Sequence, residues 1–119
     1  MANRYKIVLA KGTSSQFIKG DGSLDSTEYL PVYLPFVTKT ANYTLTLSDY
    51  TVDCNGTFTI TLPTAVGITG RIYNIKNTGT GIITVDGNGS ELIDGELTQL
   101  VHQWENLQIQ STGAGWIAL

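Results

Sequence analysis

A single cysteine, a single histidine, three prolines and a thin supply of charge remove most chemistries from this 119-residue chain at the outset. Cys54 has no partner thiol within the chain, so no intrachain disulfide is expected. One thiol and one imidazole, His102, fall short of the four ligands of a zinc site. A Cys–His nucleophile pair would need a third group to polarise it, and nothing around either residue points that way. Charged residues make up 14% of the chain, against about 25% in typical soluble domains. Residues 1–39 hold five basic and three acidic side chains, while residues 40–119 hold two basic and seven acidic ones. So acidic a body argues against nucleic acid as a partner, because that binding depends on neutralising phosphates. No apolar run is long enough to span a membrane, and the first ten residues lack the apolar stretch of a signal peptide. Gly79-Thr80-Gly81 and Gly87-Asn88-Gly89 lack a following helical pattern to hold a phosphate, and no cofactor is expected.

What the chain does hold is threonine and glycine, seventeen and thirteen residues respectively. Threonine is β-branched and polar, which suits the solvated face of a strand. Short alternating segments follow one another from residue 42. Residues 43–47 alternate, Ser48-Asp49 turns, and residues 50–54 alternate again, ending on Cys54 as a small core hydrophobe. Asn55-Gly56 is a strong two-residue hairpin signal. Residues 57–62 place Phe58, Ile60 and Leu62 on one face and three threonines on the other. Further strands are predicted over 71–76 and 82–86, in Leu92-Ile93 before an Asp94-Gly95 turn, and over 100–110 with an irregularity near His102. A hairpin turn over 111–115 leads to a closing strand with Trp116 in the core. The fold class is therefore all-β, a small antiparallel sandwich or barrel.

The first third of the chain reads differently. Residues 4–9 suggest a strand, and residues 12–26 alternate Gly, Ser, Thr and Asp around the apolar pair Phe17-Ile18. In residues 29–37, Pro31 and Pro35 forbid a central strand while Tyr29, Leu30, Val32, Tyr33 and Phe36 need cover. This predicts an extended N-terminal arm over 1–39, to be covered by a neighbouring subunit or by the chain's own body, and a β body over 40–119. Phe17, Ile18, Tyr29, Leu30, Val32, Tyr33 and Phe36 are its candidate contacts.

Two acidic groupings invite a chemical reading. Residues 86–91 open like a calcium loop, but Glu91 and Leu97 stand where the loop needs glycine and a bidentate glutamate, so no metal ligand is assigned. Asp94 with Glu96 or Glu91 could be nominated as the carboxylate pair of a glycosidase. They lie in or beside a turn and read as solvated charge, so no catalytic residue is assigned. Glycan binding needs an exposed aromatic platform with amides and carboxylates around it. Trp104 with Glu105 and Asn106, or Tyr73, could supply one.

Residues 12–26 resemble a linker that recurs in tail fibres and other virion appendages of bacteriophages. Residues 42–119 resemble a C-terminal module of such proteins. The matching features run in order from Tyr43-Thr44 through Thr59-Ile60-Thr61-Leu62-Pro63, Ile72-Tyr73-Asn74-Ile75-Lys76-Asn77 and Ile83-Thr84-Val85-Asp86-Gly87 to Gly115-x-Trp-Ile at the end. The resemblance implies a non-enzymatic virion protein, made in the bacterial cytoplasm. It would be a short homotrimeric fibre or a capsid or tail decoration that binds its own copies and other virion proteins. The alternative it implies is a receptor-binding module for a host-surface glycan. Neither a membrane nor a nucleic acid is among the expected partners.

Overall fold

The computed structural model describes residues 32–119. The chain divides into a unit ending at Tyr33, of which Val32 and Tyr33 are described, and a body, Leu34–Leu119. Phe17, Ile18, Tyr29, Leu30 and the strand expected over 4–9 lie outside the described residues.

The body is all-β. Its nine strands are β1 (Phe36–Lys39), β2 (Tyr43–Thr44), β3 (Thr51–Cys54), β4 (Phe58–Thr61), β5 (Ile72–Asn77), β6 (Ile83–Asp86), β7 (Thr98–Val101), β8 (Asn106–Ser111) and β9 (Trp116–Ala118). They form a five-stranded sheet, β1-β3-β5-β8-β9, and a four-stranded sheet, β2-β4-β6-β7. Through β6 the chain changes sheet at every strand, so each pair of strands makes one coil that stacks on the last. Neighbours from successive coils are therefore parallel, as in Val52↔Ile75 and Ile60↔Val85. Only the last three strands add antiparallel pairs, β6–β7, β5–β8 and β8–β9. The two expected layers are present, but the sheets are mixed where an antiparallel arrangement was expected. Two-residue alternation reports which face a side chain takes and carries no information on strand direction.

Asn55-Gly56 shows the cost of that ambiguity. It joins β3 to β4, which lie in different sheets, so it is a corner and not a hairpin. The next coil turns the same corner at Gly79-Thr80-Gly81 and packs directly on it. A Cβ on Gly79 would strike the Asn55 side chain, and one on Gly81 would strike Thr57 and the Gly56 backbone. The Asp94-Gly95 turn forms as expected. Both residues have positive φ, 51° and 85°, and Ile93 and Glu96 exchange backbone hydrogen bonds across it.

The core lies between the sheets. Val52, Cys54, Tyr73, Ile75, Ile109 and Trp116 from one sheet meet Phe58, Ile60, Ile83, Val85 and Val101 from the other. The faces of β4, β5 and β6 alternate as the sequence predicts. Asp49 is buried with Oδ2 accepting from the Tyr43 hydroxyl (2.8 Å) and the Thr46 amide (2.8 Å). That bond to Asp49 is the main cause raising the Tyr43 pKa above its ordinary value. Arg71 donates to the carbonyls of Leu47 and Asp49 and lies over the Tyr73 ring, tying the 45–50 loop to β5.

The body begins earlier than the residue-40 boundary expected. β1 pairs with β3 from Phe36↔Thr51 to Lys39↔Cys54 and is an edge strand of the body. Pro35 precedes its first residue, a position where a missing N–H breaks no ladder.

Cys54 is fully buried, and burial, with a further contribution from the Asp53 charge, pushes its pKa from an ordinary 9.0 up to about 12. The folded protein is expected to resist iodoacetamide near pH 8, whereas chain unfolded in guanidinium is alkylated promptly. A mass shift measured over time distinguishes the two. The same shift sets a sign. Stability contributed by the neutral thiol is complete below pH 9 and falls as pH rises towards about 12, because the unfolded chain loses the proton first.

Candidate functional site

The residues nominated as an aromatic platform separate into one outside and one inside. Tyr73 is fully buried on β5, its ring 5.7 Å from Trp116 and its hydroxyl donating to the Thr46 carbonyl at 2.8 Å. It cannot face a ligand, and burial raises its pKa. This corrects its nomination as a glycan contact. Its position in the 71–76 alternation already places it on the same face as Ile75, the inward one.

Trp104 is 63% exposed. It lies in the turn that carries the chain from β7 in one sheet to β8 in the other, closed by the Glu105 amide donating to the His102 carbonyl at 2.9 Å. Its φ is +69°, while Gln103 is not in the positive region, so the turn is of type II with tryptophan where glycine is favoured. The geometry is imposed from β5. The Trp104 amide donates to the Asn77 carbonyl (2.6 Å), the Asn77 amide donates to the Glu105 carbonyl (3.1 Å), and Lys76 Nζ donates to the Trp104 carbonyl (2.7 Å).

Asn77 is the anchor of this corner and is itself fully buried. Its Nδ2 donates to the carbonyls of Gly81 (2.7 Å) and Val101 (2.8 Å), and its Oδ1 accepts from the Gly79 amide (2.9 Å). The expected strand over 71–76 stopped one residue short of Asn77. Its place at the inward phase of β5, after Tyr73 and Ile75, was the available signal.

Glu105 and Asn106 follow Trp104 and line a groove of about 340 Å³ together with Leu100, Val101 and Leu107. The groove opens where the end of β7 meets the start of β8, at the mouth between the sheets. Leu100 is exposed and Leu107 packs against the core. Glu105 Oε1 accepts from the His102 amide at 2.7 Å and lies 3.3 Å from His102 Nδ1, which orients the carboxylate. The bond from the His102 backbone is the main cause holding its pKa below the ordinary value. Its Oε2 accepts no hydrogen bond among the described residues.

Of the nominated carboxylates, Glu91 and Asp94 are hydrogen-bonded. Glu91 accepts from Thr64 Oγ1 (2.5 Å) and the Ala65 amide (2.8 Å), and Asp94 accepts from the Ala118 amide (2.9 Å). Among the described residues no three His, Cys, Asp or Glu side chains are grouped to hold a metal ion. Of the arm contacts, Val32 and Tyr33 are strongly exposed, and Phe36 on β1 is 66% exposed. No helix among the described residues is long and apolar enough to cross a membrane. No protein-family model, curated protein or solved structure matches this chain.

Proposed function

We propose that the protein is a structural component of a bacteriophage virion, a short homotrimeric fibre or a capsid or tail decoration. Residues 34–119 would form the displayed knob, and the preceding residues would join it to its copies and to other virion proteins. The sequence resemblances motivate the reading. The observation that carries it furthest is the open edge at β1, which has no partner on its outer side among the described residues and exposes Leu34 and Phe36. An uncovered edge strand with large apolar side chains promotes association unless another chain or segment covers it. Coils stacked in one direction also need a cap at each end.

The test is the mass of the full chain in solution. Native mass spectrometry or light scattering is expected to find three 12.9-kDa chains together at micromolar concentration. A stable monomer would overturn the trimer, and imaging of particles with labelled protein would then decide whether it is a virion component at all.

A further inference from the structure

We propose that Asn88 is a site of spontaneous covalent modification, closing on Gly89 to a succinimide that opens to aspartate or isoaspartate, while Asn55 is protected by the fold. The proposal stands apart from the structural role above and does not depend on the oligomeric state.

The chain holds two Asn-Gly dipeptides, Asn55-Gly56 and Asn88-Gly89. Asparagine is thermolabile, and most so before glycine, where no Cβ shields the attacking nitrogen. In sequence the two dipeptides are equivalent. Neither glycine amide donates a hydrogen bond among the described residues, so both nitrogens are available. Packing separates them. The Asn55 amide donates to the Lys39 carbonyl at 3.1 Å. The next coil's corner rests on this dipeptide, since a Cβ on Gly79 would strike the Asn55 side chain and come within 3.0 Å of the Gly56 nitrogen. Closing a ring there requires two stacked corners to part.

Asn88 lies in the opposite situation. Asn88, Gly89 and Ser90 are consecutive exposed residues after β6. Gly89 has φ +57°, and a Cβ built on it would meet nothing within 4 Å. The base of the loop is held by the Gly87 amide donating to the Leu97 carbonyl (3.1 Å) and the Glu91 amide donating to the Asn88 carbonyl (2.9 Å). The tip between these bonds is open on every side that a five-membered ring would need.

The chemistry needs only water and base. The Gly89 nitrogen loses its proton to base and bonds to Asn88 Cγ. The Cγ–Nδ2 bond breaks, and Nδ2 takes up a proton and leaves as ammonia. Water then adds to one of the two ring carbonyls and opens the ring. Either product is a carboxylate, and isoaspartate also carries the main chain through Cβ. Residues 40–119 already hold two basic against seven acidic side chains, so converted molecules separate as more acidic species.

The experiment holds the full-length protein for weeks in mildly alkaline buffer, folded or unfolded in guanidinium. Peptide mapping by mass spectrometry, with enzymatic methylation of isoaspartate, follows each dipeptide. In the folded protein Asn55 is expected to convert about tenfold more slowly than Asn88. In the unfolded chain the two are expected to convert at comparable rates. Asn88→Gln, whose longer side chain closes a ring far less readily, is expected to lose most of the acidic species seen on ion exchange. The proposal is overturned if Asn88 stays an amide in the folded protein while the unfolded chain converts, or if Asn55 keeps pace with it in the folded protein. Acidic species that accumulate in Asn88→Gln as fast as in the parent overturn it equally.

Discussion

Asn77→Ala is expected to lower the unfolding free energy by about 4 kcal/mol, a large share of what a domain of this size possesses. Truncation removes three hydrogen bonds at once, two to the Gly81 and Val101 carbonyls and one from the Gly79 amide, and leaves the Gly81 carbonyl and Gly79 amide without that side-chain partner. Each orphaned group costs about 1–3 kcal/mol, more than the net value of the bond that served it. The geometry also makes the loss concerted. Gly79 and Gly81 form the corner that rests on Asn55-Gly56, and Val101 ends β7 just before the Trp104 turn. One amide therefore joins a coil corner to the end of the opposite sheet. Asn77→Asp is expected to be worse still, because it exchanges two donated bonds for a negative charge facing two carbonyls. Urea unfolding of the full-length chain, followed by circular dichroism, measures both. A loss below about 1 kcal/mol for Asn77→Ala would show that water or backbone movement replaces the amide without difficulty.

Trp116→Ala is expected to cost a similar amount, about 4 kcal/mol, through a different mechanism. Trp116 is 2% exposed and tilted against the Tyr73 ring, so truncation opens a cavity on the inner face of the five-stranded sheet, beneath its edge strand β9. It is also a point where three segments meet. Its amide donates to the Leu92 carbonyl at 2.9 Å, its carbonyl accepts from Asp94 at 3.0 Å, and β9 pairs with β8 around it. Trp116→Phe separates the cavity from the polar group. The indole Nε1 is buried without a hydrogen-bond partner, so phenylalanine removes an unsatisfied donor while keeping an aromatic ring. The phenylalanine variant is expected to lose less than about 1.5 kcal/mol. Equal losses in the two variants, measured by denaturant unfolding, would mean that Nε1 is in fact served, for example by a bound water.

Much of the fold was legible because a half-buried strand writes its own pattern. Phe58, Ile60 and Leu62 fell on one face as read, Cys54 and Trp116 went to the core, and Asp94-Gly95 made its turn. The legible portion of the site was shorter. Trp104, Glu105 and Asn106 were picked out as a consecutive polar and aromatic group, of which Glu105 and Asn106 line one groove and Trp104 is not among its walls. Tyr73 was nominated for its chemistry when its phase in β5 already assigned it inward. Leu100, Val101 and Leu107 could not be associated with the site from sequence, because they reach it only where two sheets converge. The strain at Trp104 has no sequence signal either. No glycine marks the turn, and its positive φ is set by bonds to Lys76 and Asn77, nearly thirty residues earlier.

The sequence by itself therefore determined the kind of element and the face of each side chain, since period-two alternation and turn residues act through neighbours along the chain. It also determined that Cys54 has no partner thiol within these 119 residues. Only the tertiary structure decided which strands are neighbours and in which direction they run. Backbone N–H and C=O groups are alike at every residue, so a parallel and an antiparallel partner are equally compatible with Thr59-Ile60-Thr61. The choice was made by the stacked corners, where Gly79 and Gly81 allow one coil to lie directly on the next.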